Sequence, residues 1–140
     1  MSETENTRIE KKTRGLHISK ELMDSLKQGI HRIIFEEKKY LVKDYSMKQL
    51  AEDLGTNARY VSATINERYH MHYAAYVNQF RVADAKKLLA MPESRNTTIE
   101  EIGELVGFSN RQSFYTAFTA VEGTSPHKFR ENKTKAPQEL

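Results

Sequence analysis

The chain contains no cysteine. That excludes disulfide staples, thiolate metal sites and cysteine nucleophiles together. No apolar run approaches the roughly 18–20 residues that span a bilayer. The first fifteen residues, MSETENTRIEKKTRG, lack the apolar core of a signal peptide. A cytoplasmic protein without membrane contact of its own is the expectation. Carboxylates are missing from two places: Thr56 to Asn66 and Gly107 to Val121 hold neither Asp nor Glu, in a chain with 22 basic and 19 acidic residues and a pI of about 9.0. Glu52, Asp53, Glu100, Glu101 and Glu104 crowd the stretches just before them. Acid-free segments in so charged a chain suit surfaces that approach phosphate.

A helix-start signal is written twice. Ser46-Met-Lys-Gln49 precedes Leu50-Ala51-Glu-Asp-Leu54-Gly55, and Thr98-Ile-Glu-Glu101 precedes Ile102-Gly103-Glu-Leu-Val106-Gly107. A shift of 52 residues puts Met47 on Ile99, Leu50 on Ile102, Ala51 on Gly103, Leu54 on Val106 and Gly55 on Gly107. Each copy carries a capping signal, an i, i+3, i+4, i+7 apolar stripe and a terminating Gly. The small central residue predicts a close crossing by a second helix. In the first copy Asn57 caps that second helix, with Ala58, Val61 and Ile65 inward and Arg59, Tyr60, Ser62 and Ala63 toward solvent or a partner. In the second copy the shift becomes 53, the turn gains a residue, and Phe114, Ala117, Phe118 and Val121 form the inward stripe. Ser109 with Gln112 could form a capping box there.

Around these units the expectations are looser. Residues 1–18 read as a disordered polar tail. Ser19 caps a helix running to about Lys39, with Gly29 a weak spot, and Leu41, Val42 and Tyr45 fill a connection. Asn66 to His72 reads as a polar connection. Tyr73 to Ala90 is an 18-residue helix with apolar residues on more than one face, as a connector between two subdomains needs. Residues 92–96 form a loop. Ser125-Pro126 starts a short last helix, and residues 131–140 are tail. No strand pattern is present. The fold class is all-α: two helix-turn-helix subdomains (46–72 and 98–130) joined by a long linker helix (73–90), behind an N-terminal helix and connection (19–45).

The segment Gly107-Phe108-Ser109, then Phe114, Phe118, Gly123, Ser125-Pro126 and Phe129-Arg130, resembles the signature of the AraC/XylS family of bacterial transcription regulators. Arg81-Val82-Ala-Asp-Ala85-Lys86-Lys-Leu88-Leu89 resembles that family's linker-helix pattern. The resemblance covers about Ser46 to Arg130. It implies seven helices, promoter binding and, usually, activation through RNA polymerase.

A recognition helix reads base edges in the major groove, and two held apart can enter successive grooves. The base-reading candidates are Arg59, Ser62 and Ala63 (the last for a thymine methyl alone) in the first unit. In the second they are Asn110, Arg111, Gln112, Tyr115 and Thr116. Gln112 has two uses open to it, closing a capping box or reading adenine. Phosphate candidates are Lys48, Tyr60, Asn66, Arg68, Arg95, Lys128 and Arg130. Family members often carry Arg or Lys where Ala63 and Thr116 stand, so affinity here leans more on phosphates, DNA shape or a second protomer. Arg81 reads as structural, pairing with a carboxylate. His70 and His72 read as a solvated turn, so no metal site, cofactor or catalytic set is expected. DNA-repair enzymes that fuse a methyl-accepting Cys to such a domain are excluded by composition. A docking module that reads no DNA is the alternative function. The length leaves no room for a sensor domain, so the chain is either a stand-alone regulator or, the favoured reading, an excised part of a longer one.

Overall fold

The computed structural model describes residues 17–135, and the tails expected at 1–16 and 136–140 lie outside that range. Among the described residues there are seven α-helices and no strand: α1 Lys20–His31, α2 Met47–Leu54, α3 Ala58–Tyr69, α4 Tyr73–Ala90, α5 Ile99–Leu105, α6 Arg111–Glu122 and α7 Pro126–Lys135. Two compact units divide them. Of the described residues, the first takes 17–39 and Tyr45–Tyr76; the second takes Tyr40–Asp44 and 77–135.

In the first unit, α1 begins at Ser19, whose hydroxyl accepts the Leu22 N–H at 3.0 Å. It does not continue to Lys39 as one regular helix. A π turn spans Arg32–Glu36, and Lys38 then takes a left-handed conformation (φ 59°). Gly29, a weak spot by propensity alone, is small for a reason: an added Cβ would sit 2.5 Å from Cδ2 of Leu54. α1 packs against both α2 and α3. Leu26, Ile30, Ile33, Ile34, Leu50, Val61 and Ile65 are buried in this unit.

α3 also departs from expectation. It runs through Asn66–Tyr69 and ends with His70 in a left-handed conformation (φ 55°), where a polar connection was predicted from Asn66. The polarity of Glu67 marks an outer face, and that of Arg68 an ion pair with Asp24 of α1, not an end.

The second unit is built on one apolar cluster. Val82, Ala85 and Leu89 of α4 meet Ile99, Ile102 and Val106, and the rings of Phe108, Phe114 and Phe118 fill the centre. The three rings stand in a chain of contacts, Phe108 to Phe114 at 5.2 Å and Phe114 to Phe118 at 5.8 Å between centroids. Edge-on aromatic packing of this kind adds to simple area burial. Phe129 of α7 closes the cluster against Phe118 at 5.5 Å. Val121, expected inward, is 53% exposed; the stripe ends one turn earlier, at Phe118. α7 extends to Lys135, beyond the end expected near Arg130.

Residues 40–44 are pinned into the second unit by Arg81. Its Nε donates to the Tyr40 carbonyl at 2.6 Å and its guanidinium lies 5.5 Å from the Phe108 ring centroid. The structural role expected of Arg81 is thus carried in part by carbonyl acceptors, Tyr40 and Val42. Tyr40 donates to Asp84 at 2.6 Å, and burial, then this hydrogen bond, push its hydroxyl up to about 12. Gly107 (φ 105°) passes so close to this strap that a Cβ would meet the Tyr40 carbonyl oxygen at 2.5 Å. Only glycine suits both that conformation and that approach.

Candidate nucleic-acid interface

Each unit presents its second helix on a turn set by local chemistry. In the first, Ser46 and Gln49 form the reciprocal capping box at the start of α2. Gly55 stops α2 in a left-handed conformation (φ 72°), and the Asn57 side chain accepts the Tyr60 N–H at 3.0 Å to open α3. In the second, Thr98 and Glu101 form the same box for α5. The cap of α6 is Asn110, which accepts the Ser113 N–H at 2.8 Å. The expected Ser109–Gln112 box does not form. Ser109 instead donates to Asp44 of the strap. The signal was legible in the repeat itself, since a shift of 53 puts Asn57 on Asn110.

The close crossing expected at the small residue is present in the second unit. A Cβ on Gly103 would lie 2.7 Å from Cδ2 of Phe114, inside the ring's contact distance. α6 can therefore lie against α5 only because position 103 has no side chain.

On α3, Arg59 is exposed, while Tyr60, Ser62 and Asn66 are partly exposed. Ala63 is not available: it is 5% exposed, too covered for the expected thymine-methyl contact. Thr64 beside it is buried too, so the core face of α3 is wide. Thr64 satisfies its hydroxyl on the Tyr60 carbonyl at 2.8 Å. Arg68 is also corrected. Its guanidinium pairs with Asp24 of α1 at 2.6 Å with the side chain mostly covered, so it clamps α1 to α3 and is not a loose phosphate ligand.

On the first half of α6 the exposed residues are Arg111, Gln112, Ser113 and Thr116, with Tyr115 half-buried. Ser113 joins this face, absent from the sequence candidates, because the helix starts after Asn110 and not after Ser109. Arg111 lies 3.3 Å from Glu100 and 4.8 Å above the Tyr115 ring. Asn110 spends its carbonyl on the cap and keeps its amide donors. Of the remaining phosphate candidates, Lys48, Arg95 and Lys128 are exposed, and Arg130 reaches the Ser94 carbonyl at 3.3 Å. Among the described residues no cluster of His, Asp and Glu could hold a metal ion, and no helix is long and apolar enough to cross a membrane.

Two N-capped helices with acid-poor outer faces, each crossing a shorter capped helix, define a double helix-turn-helix. A helix-turn-helix domain family model matches residues 50–132, more than half of the chain. The chain belongs to the helix-turn-helix family of AraC/XylS type. YisR of Bacillus subtilis strain 168, an uncharacterized HTH-type transcriptional regulator, is 30% identical over 82% of this chain and 40% of its own length. YobQ of the same organism, another uncharacterized HTH-type transcriptional regulator, is 29% identical over 65% of this chain and 36% of its own. The chain thus spans well under half the length of these curated relatives. Among solved structures, the C-terminal domain of AraT, a response regulator from Geobacillus stearothermophilus, matches with a TM-score of 0.64 and 26% identity over 76% of this chain and 84% of that one. The C-terminal domain of the two-component response regulator YesN from Fusobacterium nucleatum matches with a TM-score of 0.64 and 29% identity over 76% of this chain and 98% of that one.

Proposed function

We propose that this chain is the DNA-reading part of a transcription regulator, with α3 and α6 entering successive major grooves of a promoter. The observation that supports it most is the repeated Asn-capped helix. Asn57 and Asn110 open helices whose outer faces carry Arg59, Ser62, Arg111, Gln112 and Thr116. The first turn of a recognition helix meets base edges, and Arg can grip guanine O6 and N7 together. Lys48, Tyr60, Asn66, Arg95, Lys128 and Arg130 would meet phosphates and set register without adding sequence information. The relatives suggest that such a domain works as the output of a larger regulator, so a sensor domain or a second protomer joins the scheme, with RNA polymerase as the target of activation. A protein whose specificity comes from a handful of side chains needs phosphate contacts for affinity. Competitive gel shift tests the reading. A selected site should outcompete random DNA by roughly 1,000-fold or more, and binding to both should fall steeply with salt. Equal competition by random DNA would overturn sequence reading, and loss of the salt dependence would overturn the phosphate contacts.

A further inference from the structure

Arg111 is the first residue of α6 and is 64% exposed at its side chain, yet it does not hang loose. Its Nε lies 3.3 Å from Oε1 of Glu100, on α5. Its guanidinium lies over the face of Tyr115, 4.8 Å from the ring centroid. Tyr115 is half-buried and packs edge-on against Phe114, which is almost wholly buried. The Thr98–Glu101 capping box fixes the turn that carries Glu100. An acceptor on one helix and a ring anchored in the core therefore hold one arginine from two sides.

We propose that Glu100 and Tyr115 are positioning residues that aim Arg111 at a guanine and so set the specificity of the second unit. The inference rests on reading α6 as a recognition helix. The chemistry is that of a fork. Guanine offers O6 and N7 side by side in the major groove, and a guanidinium has five donors in one plane. With Nε committed to Glu100, the two terminal nitrogens remain for the two acceptors. Holding the plane beforehand reduces the ordering entropy that binding would otherwise cost. The carboxylate also repels phosphate, which weakens off-target binding more than a site where Arg111 finds its guanine. An exposed ion pair adds little to fold stability, so stability is a poor reason for it. Among the described residues the first unit holds no matching arginine, since Ala58 stands where Arg111 does. Position 48, which the 52-residue shift places on Glu100, is Lys, suited to attracting phosphate.

The test uses the full chain with E100A, E100Q, R111A, E100A/R111A and Y115L. Each is titrated against a selected site, the same site with single base pairs changed, and random DNA, alongside a melting curve. R111A should flatten the preference at one G·C pair by about tenfold. E100A should flatten the preference at that same pair by about threefold, add nothing further in the R111A background, and bind random DNA more tightly. Y115L should flatten the same pair without that tightening. E100Q keeps an acceptor for Nε, so it should tighten random binding yet preserve the preference. A merely structural role predicts none of this pattern and a lowered melting temperature instead. If R111A flattens one pair while E100A leaves it intact, the positioning role is wrong and Arg111 still reads. Equal flattening by E100A and E100Q overturns it too, because charge alone would then be responsible. If R111A weakens all DNAs alike, both the positioning role and base reading by Arg111 fail.

Discussion

The two helix-turn-helix units share a plan and differ in what stands behind the second helix. In the first unit, α1 packs on both α2 and α3, and aliphatic Val61 and Ile65 fill the interior. In the second, Phe114 and Phe118 occupy the matching positions, and the rings themselves form the centre of the cluster. The small residues follow that choice. Phe114 needs Gly103, because even a methyl there would collide with the ring. Where the first unit has the smaller Val61, position 51 keeps its alanine methyl, buried at 3% exposure. The outer face differs as well. Ala63 is buried, whereas Thr116, its counterpart, is exposed. The burial of Ala63 narrows the face that α3 can offer a partner.

Truncating the matched core residues is the largest way to strain this comparison. Phe118→Ala should cost roughly 3–5 kcal/mol and Ile65→Ala roughly 2–5 kcal/mol, read from denaturant unfolding. A change under 1 kcal/mol at either position would show that its unit is held together otherwise. Gly103→Ala should cost roughly 1–3 kcal/mol by overpacking, and clearly less in a Phe114→Leu background. The same cost in both backgrounds would break the pairing of small residue and ring. Arg111→Ala should weaken a selected site by roughly 1–3 kcal/mol more than it weakens random DNA. Arg59→Ala, in the narrower face, should show the smaller gap. Caps should behave alike: Asn57→Ala and Asn110→Ala should each cost about 1 kcal/mol, although Ser109→Ala should leave the α6 cap untouched.

The subtlest comparison is electrostatic. Each unit holds a buried tyrosine hydroxyl that donates to a carboxylate, Tyr45 to Asp53 and Tyr40 to Asp84. Burial raises both hydroxyls, Tyr40 to about 12. A folded-state value above the unfolded one means that stability is full below about pH 10 and is lost as pH rises toward the folded value. For Tyr40 that window is about pH 10 to 12. Tyr40→Phe should flatten the decline of melting temperature in that window, and an unchanged slope would show that the hydroxyl does not couple to folding.

Local signals carried most of the fold. The bounds of α4, the capping boxes at Ser46 and Thr98, and the left-handed Gly55 were all legible from residue type and spacing. What was lost depended on contacts far apart in sequence. Nothing near residues 40–44 says that they join the second unit, because Arg81 holds them from 41 residues away. Nothing in the α3 sequence says that Ala63 is covered, because its burial comes from tertiary packing. The Ser109–Gln112 box failed through a local rule applied one residue early, with Asn110 the better cap. In sequence Glu100 is one of several acids, and its contact with Arg111 needs the crossing of α5 and α6.

Hydroxyl-radical footprinting of the chain on a selected site tests the central claim most directly. Two recognition helices in successive grooves predict two protected patches on one face of the duplex, centred about 10–10.5 base pairs apart, the first lost selectively in Arg59→Ala and the second in Arg111→Ala. A single protected patch that either substitution removes whole would contradict it.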